Sequence, residues 1–579
     1  MLENRLRLSL VALLAAAGAS PSPKSPLPWF EAGKSGAIVS ENNHCSNVGL
    51  QLLGEGGSAA DAIIGYHNLV CEHDLRLSQW YANFQRHYDG IGGGGFALIK
   101  EESGDYKFLD FRETAPAASN KTMFIDNPHN STIGGLAVGV PGEIRGLEYL
   151  HSNYGRLPWS RPFEIAAEVA EGFTIEQDLS AKIKSSDASY GFLREDPLWS
   201  EVYAPEGKVL SLGDTVSNKK LVDTYRKIGN EGPDTFYTGE IADNIIKAIQ
   251  NSGGIMTHDD LKNYEILERD VLSADFDEYT VYSTSAPSSG AVVLSALNTL
   301  QHFNEEIWRN DNHTAQALVE SMKFAYGIRG QLADPNYVKN VSDIQASAIT
   351  KEAGEAFYNR ISLDKTHEPD YYTVEPQELV EAGTSHLLAI DGTGLVISLT
   401  TTVNTIFASH VMTENGLVLN NEMDDFSTKG ESNSFGLTAS SVNFPEPGKR
   451  PQSSISPGIV EDKDGNVVLV FGSAGGSQIP TANIQTVVNF IKKGLPVEEA
   501  IGAPRLHNQL LPAKTVLEYA GEFTRGYSNS TAQYLIDIGH NVTFTSPGGS
   551  TACALSRSED GSYVAGPETR LFNSGGNSI

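Results

Sequence analysis

Apolar residues recur along this chain in two periods. Helical spacing runs over 146–153, 163–173, 241–251 and 314–326, and a small-residue helix starts at 59–64 behind Gly56-Gly57-Ser58. β-Branched and large apolar residues crowd instead into short runs at 96–100, 279–283, 386–390, 395–400 and 467–471, which predicts strands. Helices and strands mix throughout from Ala37 onward, with no internal repeat, so the expected class is a layered α/β arrangement. Ahead of it, the proline-rich stretch 21–28 predicts an extended lead-in.

The N-terminus has its own pattern. A short cationic start ending at Arg7 precedes an apolar run at 8–17, then the small residues Ala17-Gly18-Ala19. This predicts a signal peptide over 1–19, cleaved after Ala19, with a retained signal anchor or a buried first helix as the alternatives. No later run approaches the ~18 apolar residues of a membrane span. Six Asn-x-Ser/Thr sequons, at Asn120, Asn130, Asn312, Asn340, Asn529 and Asn541, fit passage through the secretory pathway as a glycoprotein, whether secreted, cell-surface or vacuolar. In that oxidising setting, Cys45 and Cys71 are the nearer pair for one disulfide, and three buried thiols are the alternative.

Charge narrows the partners. The 579 residues carry a formal net charge of −30, which argues against nucleic acid or an anionic membrane as partner. A local arginine can still bind an anionic substrate. Three cysteines without a Cys-x-x-Cys pair suggest no zinc site, and nothing in the sequence calls for a metal or an organic cofactor.

Common catalytic signatures are missing: there is no Gly-x-Ser-x-Gly elbow, phosphate loop or His-Glu-x-x-His. Gly92-Gly93-Gly94-Gly95 precedes a strand, where a dinucleotide loop would follow one, and reads as a tight backbone packing site. More informative is the stretch from Gly383-Thr384 through Asp391-Gly392 to Thr400-Thr401-Thr402-Val403-Asn404. Two strand runs around an Asp-Gly turn predict a hairpin that returns residues 399–402 opposite Thr384, either as a plain threonine pairing or as a site. Carboxylates follow in Asn420-Asn421-Glu422-Met423-Asp424-Asp425. Paired hydroxyls come in Arg450-Pro451-Gln452-Ser453-Ser454, and adjacent glycines in Gly472-Ser473-Ala474-Gly475-Gly476.

With these segments the chain resembles the γ-glutamyltranspeptidases of the N-terminal-nucleophile hydrolase superfamily. The likeness extends to Phe108 through Pro116 (with Arg112-Glu113), Val140-Pro141-Gly142, Gly253 through Thr257, Pro287-Ser288-Ser289-Gly290 and Pro504 through Gln509. It implies a four-layer αββα sandwich made from a precursor that cuts itself between Gly383 and Thr384. The large subunit would be 20–383 and the small catalytic subunit 384–579, interleaved in one globular unit. Thr384 would then be nucleophile, with its own α-amine, of pKa near ~8, as base. Thr402 would orient it, and the Gly475 and Gly476 N–H groups would form the oxyanion hole.

A γ-glutamyl donor carries an α-carboxylate and an α-ammonium. The resemblance assigns Arg112, Ser453 and Ser454 to the first, and Asn404, Glu422 and Asp425 to the second. Glutathione and related γ-glutamyl compounds would be donors, with water, amino acids or dipeptides as acceptors. Two stretches depart from the family pattern. Residues 64–90 are longer, more polar and more aromatic than the usual segment, as an unremoved intron or a surface insertion would be. Phe435 stands where some bacterial members carry a lid tyrosine. The alternatives are a related amidase, such as a cephalosporin acylase or poly-γ-glutamate depolymerase, and an inactive surface glycoprotein that kept the scaffold.

Overall fold

A computed structural model describes residues 33–67, 90–373, 384–428, 440–522 and 524–579. The signal region 1–19, Gly383, Cys71, most of the 64–90 stretch and Phe435 lie outside the described residues.

Thirteen strands build two antiparallel sheets. The first contains β1 (Gly36–Ser40), β2 (Gly94–Lys100), β3 (Tyr106–Asp110), β4 (Leu267–Arg269), β7 (Ser385–Asp391), β8 (Val396–Thr402) and β13 (Gly575–Ser578), in the order β13-β1-β7-β8-β2-β3-β4. The second contains β5 (Val271–Phe276), β6 (Tyr279–Thr284), β9 (Gly458–Glu461), β10 (Val467–Ala474), β11 (Thr551–Arg557) and β12 (Tyr563–Gly566), in the order β12-β11-β10-β9-β6-β5.

Helices cover both outer faces. Over the first sheet lie α1 (Asn43–Gly54), α2 (Ala59–His67), α3 (Glu143–Tyr154), α4 (Ser160–Ala170), α5 (Lys219–Glu231) and α6 (Glu240–Asn251), packed through residues such as Leu52, Ile63, Leu147, Phe163, Tyr225 and Ile245. Over the second lie α7 (Gly290–Leu300), α8 (Asp311–Arg329) and α9 (Ile479–Ile491), through Leu294, Leu297, Met322 and Ile484. Between the sheets, Val39, Leu98, Leu388, Ile390, Ile459, Val470 and Leu555 close the central layer. This is the four-layer αββα sandwich.

The central strands explain their own sequence. β7 and β8 are buried along their whole length, so they read as nearly continuous apolar runs. Leu387 and Ala389 face the helices, and Leu388 and Ile390 face the second sheet. The Asp391 turn joins the two strands. Its carboxylate accepts from Thr393 N at 2.9 Å and from Ala59 N, also at 2.9 Å, which ties the hairpin to the start of α2. Ser58 and Asp61 complete that start with a reciprocal cap.

One predicted helix is shorter than its pattern. The spacing over 163–173 continues past the true end of α4 at Ala170; Gly172 breaks the period, and Phe173 enters a short strand, Phe173–Thr174. Among the described residues, no helix is long and apolar enough to cross a membrane. Of the six sequons, Asn120, Asn340, Asn529 and Asn541 are exposed, whereas Asn130 and Asn312 are half-buried. Cys45 and Cys553 are both buried.

Candidate active site

The hairpin register sets the site. β7 and β8 pair Thr400 with His386 and Thr401 with Ser385, so one step further Thr402 stands opposite Thr384. Both threonines are buried, with 3% and 2% of their surface exposed. Side-chain alternation tells which way they face. Thr401 Oγ1 donates to Glu143 Oε2 on the helical side, at 2.6 Å. Thr400 and His386 instead meet on the inter-sheet side, at 2.7 Å, with the His386 ring filling the space a Gly472 side chain would need. Thr384 and Thr402 share the parity of His386 and Thr400, and so face the second sheet.

The glycine pair at 475–476 lies at the matching end of that sheet. Ser398 Oγ reaches the Phe471 carbonyl at 3.2 Å, and two residues on, the Thr400–His386 pair lies against Gly472. The two strands therefore advance together toward Thr402 on one side and Ala474 on the other. Glu41 fastens these ends, accepting from Ser385 at 3.2 Å and from Thr551, whose strand partner is Ala474. Gly475 and Gly476 adopt φ of 130° and 55°, and a Cβ on Gly475 would stand 2.8 Å from the Gly549 carbonyl oxygen. Side chains are strained there on both counts.

The run Gly92-Gly93-Gly94-Gly95 is a packing site, as its sequence position suggested. Cβ atoms on Gly92, Gly93 and Gly95 would run into the carbonyl oxygens of Val418, Thr402 and Thr400 respectively. The bare backbone lets β2 lie against the end of β8. Gly93 in turn accepts from Gly142 N at 2.9 Å, and Asn420 binds Gly92 O at 2.8 Å, Gly139 N and O at 2.9 Å each, and Glu422 N at 3.0 Å. Segments far apart in sequence thus share one buried scaffold.

Arg112 sits within that scaffold, 1% exposed. Its guanidinium pairs with Glu422 and Asp425, stands 3.9 Å from Glu113, and reaches the Gln452 carbonyl at 3.5 Å. Tyr264 holds the Arg112 carbonyl at 2.8 Å. Burial opposes the guanidinium charge, but Glu422, then Asp425 and Glu113, outweigh it and keep Arg112 above its ordinary range. Burial pushes the Glu113 carboxyl up to about 8 against the pull of Arg112, with Glu143 and Asp425 adding to the rise.

The resemblance divided these groups between the two ends of a donor. Here Arg112 is bound directly to Glu422 and Asp425. The two serines face other partners: Ser453 Oγ accepts from Ile455 N at 3.2 Å, and Ser454 Oγ from Arg329 Nη2 at 2.9 Å. Asn404 spends its amide nitrogen on the Asn421 carbonyl at 3.1 Å, and its backbone N–H donates to Thr402 Oγ1 at 2.7 Å. Its φ of 76° is left-handed, as are those of Phe407, Ala408 and His410, so the loop after Thr402 is held in a strained form.

Two residues here escaped the sequence reading, Arg329 and Tyr326. Both lie on α8, which is buried over most of its length, so its charged side chains had to find internal partners. The sequence around them carries no signal of it.

A threonine heading a central strand of an αββα sandwich, with a glycine turn across the inter-sheet layer, is the arrangement of the N-terminal-nucleophile hydrolases. The γ-glutamyltranspeptidase family matches residues 45–575. Over 554 residues the chain is 42% identical to a glutathione hydrolase proenzyme of Arthroderma benhamiae, spanning 94% of this chain and 93% of that protein. Over 548 residues it is 39% identical to a glutathione hydrolase of Aspergillus flavus, spanning 93% and 89%. The solved cephalosporin acylase of Bacillus halodurans shares the fold at a TM-score of 0.80 and 23% identity, covering 97% of this chain and 99% of that one. The chain belongs to the γ-glutamyltranspeptidase family, whose enzymes transfer or hydrolyse γ-glutamyl groups.

Proposed function

We propose that this enzyme cleaves the γ-glutamyl amide of glutathione and its conjugates, with Thr384 as nucleophile. The precursor first breaks its own 383–384 peptide bond, leaving 20–383 and 384–579 as interleaved subunits. The freed α-amine of Thr384 takes the proton of the Thr384 hydroxyl, and the oxygen attacks the γ-carbonyl. The oxyanion is met by N–H groups of Gly475 and Gly476, a contribution of about 3 kcal/mol per donor. The C–N bond breaks, the α-ammonium returns its proton to the departing amine, and a γ-glutamyl ester remains. Water releases glutamate from it, or an amino acid or dipeptide takes the acyl group.

The observation carrying this reading is the buried cluster of Arg112, Glu422 and Asp425 beside the 452–454 segment. Such a cluster offers opposite charges to the two charged groups of one α-amino acid. When the donor enters, Arg112 would turn to its α-carboxylate together with Ser453 and Ser454. Glu422, Asp425 and Asn404 would take its α-ammonium. The N-terminal pattern and the exposed sequons support work in the secretory pathway, outside the cell or in a vacuole.

Expression of wild type and Thr384→Ala tests the proposal. Wild type should run as two chains on denaturing gels and release the aniline from a γ-glutamyl anilide, while the variant stays whole and inactive. A small chain beginning elsewhere than Thr384, or a preference for a glutaryl anilide over the γ-glutamyl one, overturns it.

A further inference from the structure

The last turn of α8 sends two side chains to opposite halves of the site. Tyr326 donates its hydroxyl to the carbonyl of Ser477, next to the Gly475-Gly476 turn. Arg329, three residues on and 1% exposed, donates through Nη2 to Ser454 Oγ at 2.9 Å and through Nη1 to Gln452 Oε1 at 3.4 Å. Gln452 Nε2 answers with a bond to the Arg329 carbonyl at 2.6 Å. The helix lies before Thr384 in sequence, and both of its targets lie after it.

A serine oxygen has two lone pairs and one proton, whereas a guanidinium has only donors. Arg329 therefore occupies a lone pair of Ser454 and leaves the serine proton to be given elsewhere. A charge-assisted bond in a dry site also polarises that O–H, making it a stronger donor. Ser453 is set the same way, because its oxygen accepts from Ile455 N. Two hydroxyls with their acceptor sides engaged fit an anion. They suit an ammonium less well, because each oxygen has only one lone pair left to accept with.

We propose that Arg329 is a positioning residue that makes the α-carboxylate of the donor a requirement, by fixing Ser454 as a hydrogen-bond donor to it. This rests on the donor reading given above. Arg329 acts through Ser454 and needs no contact with the substrate.

Three anilides separate the terms: γ-glutamyl, 4-aminobutanoyl (which lacks the α-carboxylate) and glutaryl (which lacks the α-ammonium). Arg329→Met should lower kcat/KM by about tenfold or more, mostly through KM, for the γ-glutamyl and glutaryl donors. It should leave the 4-aminobutanoyl donor nearly unchanged. Ser454→Ala should reproduce that selectivity, and the double variant should be no worse than Ser454→Ala alone, because the two residues act as one unit. Tyr326→Phe, a change on the same helix face, should instead lower kcat for all three donors alike.

A loss spread evenly over the three donors in Arg329→Met, or additive losses in the double variant, overturns the proposal. Should Arg329→Met fail to mature into two chains, Arg329→Lys makes the same measurement. It keeps the charge without the fork and should show a smaller loss with the same selectivity, while an even loss overturns the idea. A wild type indifferent to the α-carboxylate overturns the donor reading and this proposal with it. A discriminating wild type whose Arg329 variant discriminates equally overturns this proposal alone.

Discussion

Arg112 and Asp425, 313 residues apart in sequence, form a buried ion pair, with Glu422 completing the guanidinium's partners. The groups proposed to receive opposite ends of the donor are thus bound to each other. Donor entry is then an exchange of ion pairs, and no charge has to be taken from water into an empty pocket unaccompanied. A preformed carboxylate receptor with no internal anion would carry an unpaired buried cation, which folding disfavours.

Arg112→Gln removes the guanidinium from two carboxylates at once. It should cost about 3–5 kcal/mol in denaturant unfolding, as removal of one partner from a buried pair generally does, and raise KM sharply. Asp425→Asn leaves Arg112 with Glu422 and the more distant Glu113, so its stability loss should be smaller while donor KM still rises. Equal stability in wild type and Arg112→Gln would falsify the structural role given to this cluster.

Thr402 is tied by its own backbone neighbour. Its oxygen accepts from Asn404 N–H, which fixes the hydroxyl on the inter-sheet face it shares with Thr384. Thr402→Val should lower kcat about 100-fold with little change in KM, as misorientation of a reacting group does. It also leaves the Asn404 N–H without that acceptor, at a cost of about 1–3 kcal/mol. Thr402→Ser keeps the oxygen and should keep most of the activity. Steady-state kinetics on enzyme confirmed to be two chains checks both.

Much of this site was legible because its chemistry follows local rules. An Asp-Gly turn between two apolar runs made the hairpin, and a period of two then put Thr402 opposite Thr384. The glycine run read correctly as close packing, since only backbone approach explains four consecutive glycines leading into a strand. What stayed hidden depends on contacts between distant segments. Nothing near Arg112 in sequence signals that its resting partners are Glu422 and Asp425. Arg329 looks like an ordinary helix-end cation until the fold brings Ser454 to it across 125 residues. Strand β13, Gly-Gly-Asn-Ser, has no strand propensity and exists because its backbone completes the edge of β1.

The glycines offer a controlled comparison. In Gly93→Ala the new methyl meets the Thr402 carbonyl oxygen, a backbone atom that cannot swing away. The strand end carrying Thr402 must shift, so the variant should lose at least about 1–3 kcal/mol and should slow or block cleavage into two chains. Gly54→Ala, at the end of α1, has no heavy atom within 4 Å of the new methyl and should be neutral or slightly stabilising. Gel analysis of maturation and thermal unfolding of both proteins tests the contrast. Normal maturation of Gly93→Ala would remove the argument that this run positions Thr402.

Two buried histidines make the fold sensitive to acid. Burial pushes His386 down to about 3, and burial with the nearby Lys323 charge pushes His540 down to about 3 as well. His386 bonds Thr400 beside Gly472, and His540 bonds Gln316 and Thr515, with the Glu320 carboxylate 3.9 Å from its Nε2 and the Lys323 charge opposing it. In the unfolded chain both take a proton below about pH 6.5, whereas in the folded protein they stay neutral until about pH 3. Protonation therefore favours the unfolded state. Their stabilisation is complete above about pH 6.5 and is lost progressively as pH falls toward 3, together at roughly 2–3 kcal/mol per pH unit once below about pH 6. Glu113 works in the opposite direction, since its raised carboxyl binds a proton in the fold that the unfolded chain gives up above its ordinary range. Denaturant unfolding at pH 7, 6 and 5 should show a midpoint that falls with acidity, and His540→Gln should remove part of the slope. An unchanged slope in that variant would mean that other groups set the acid limit.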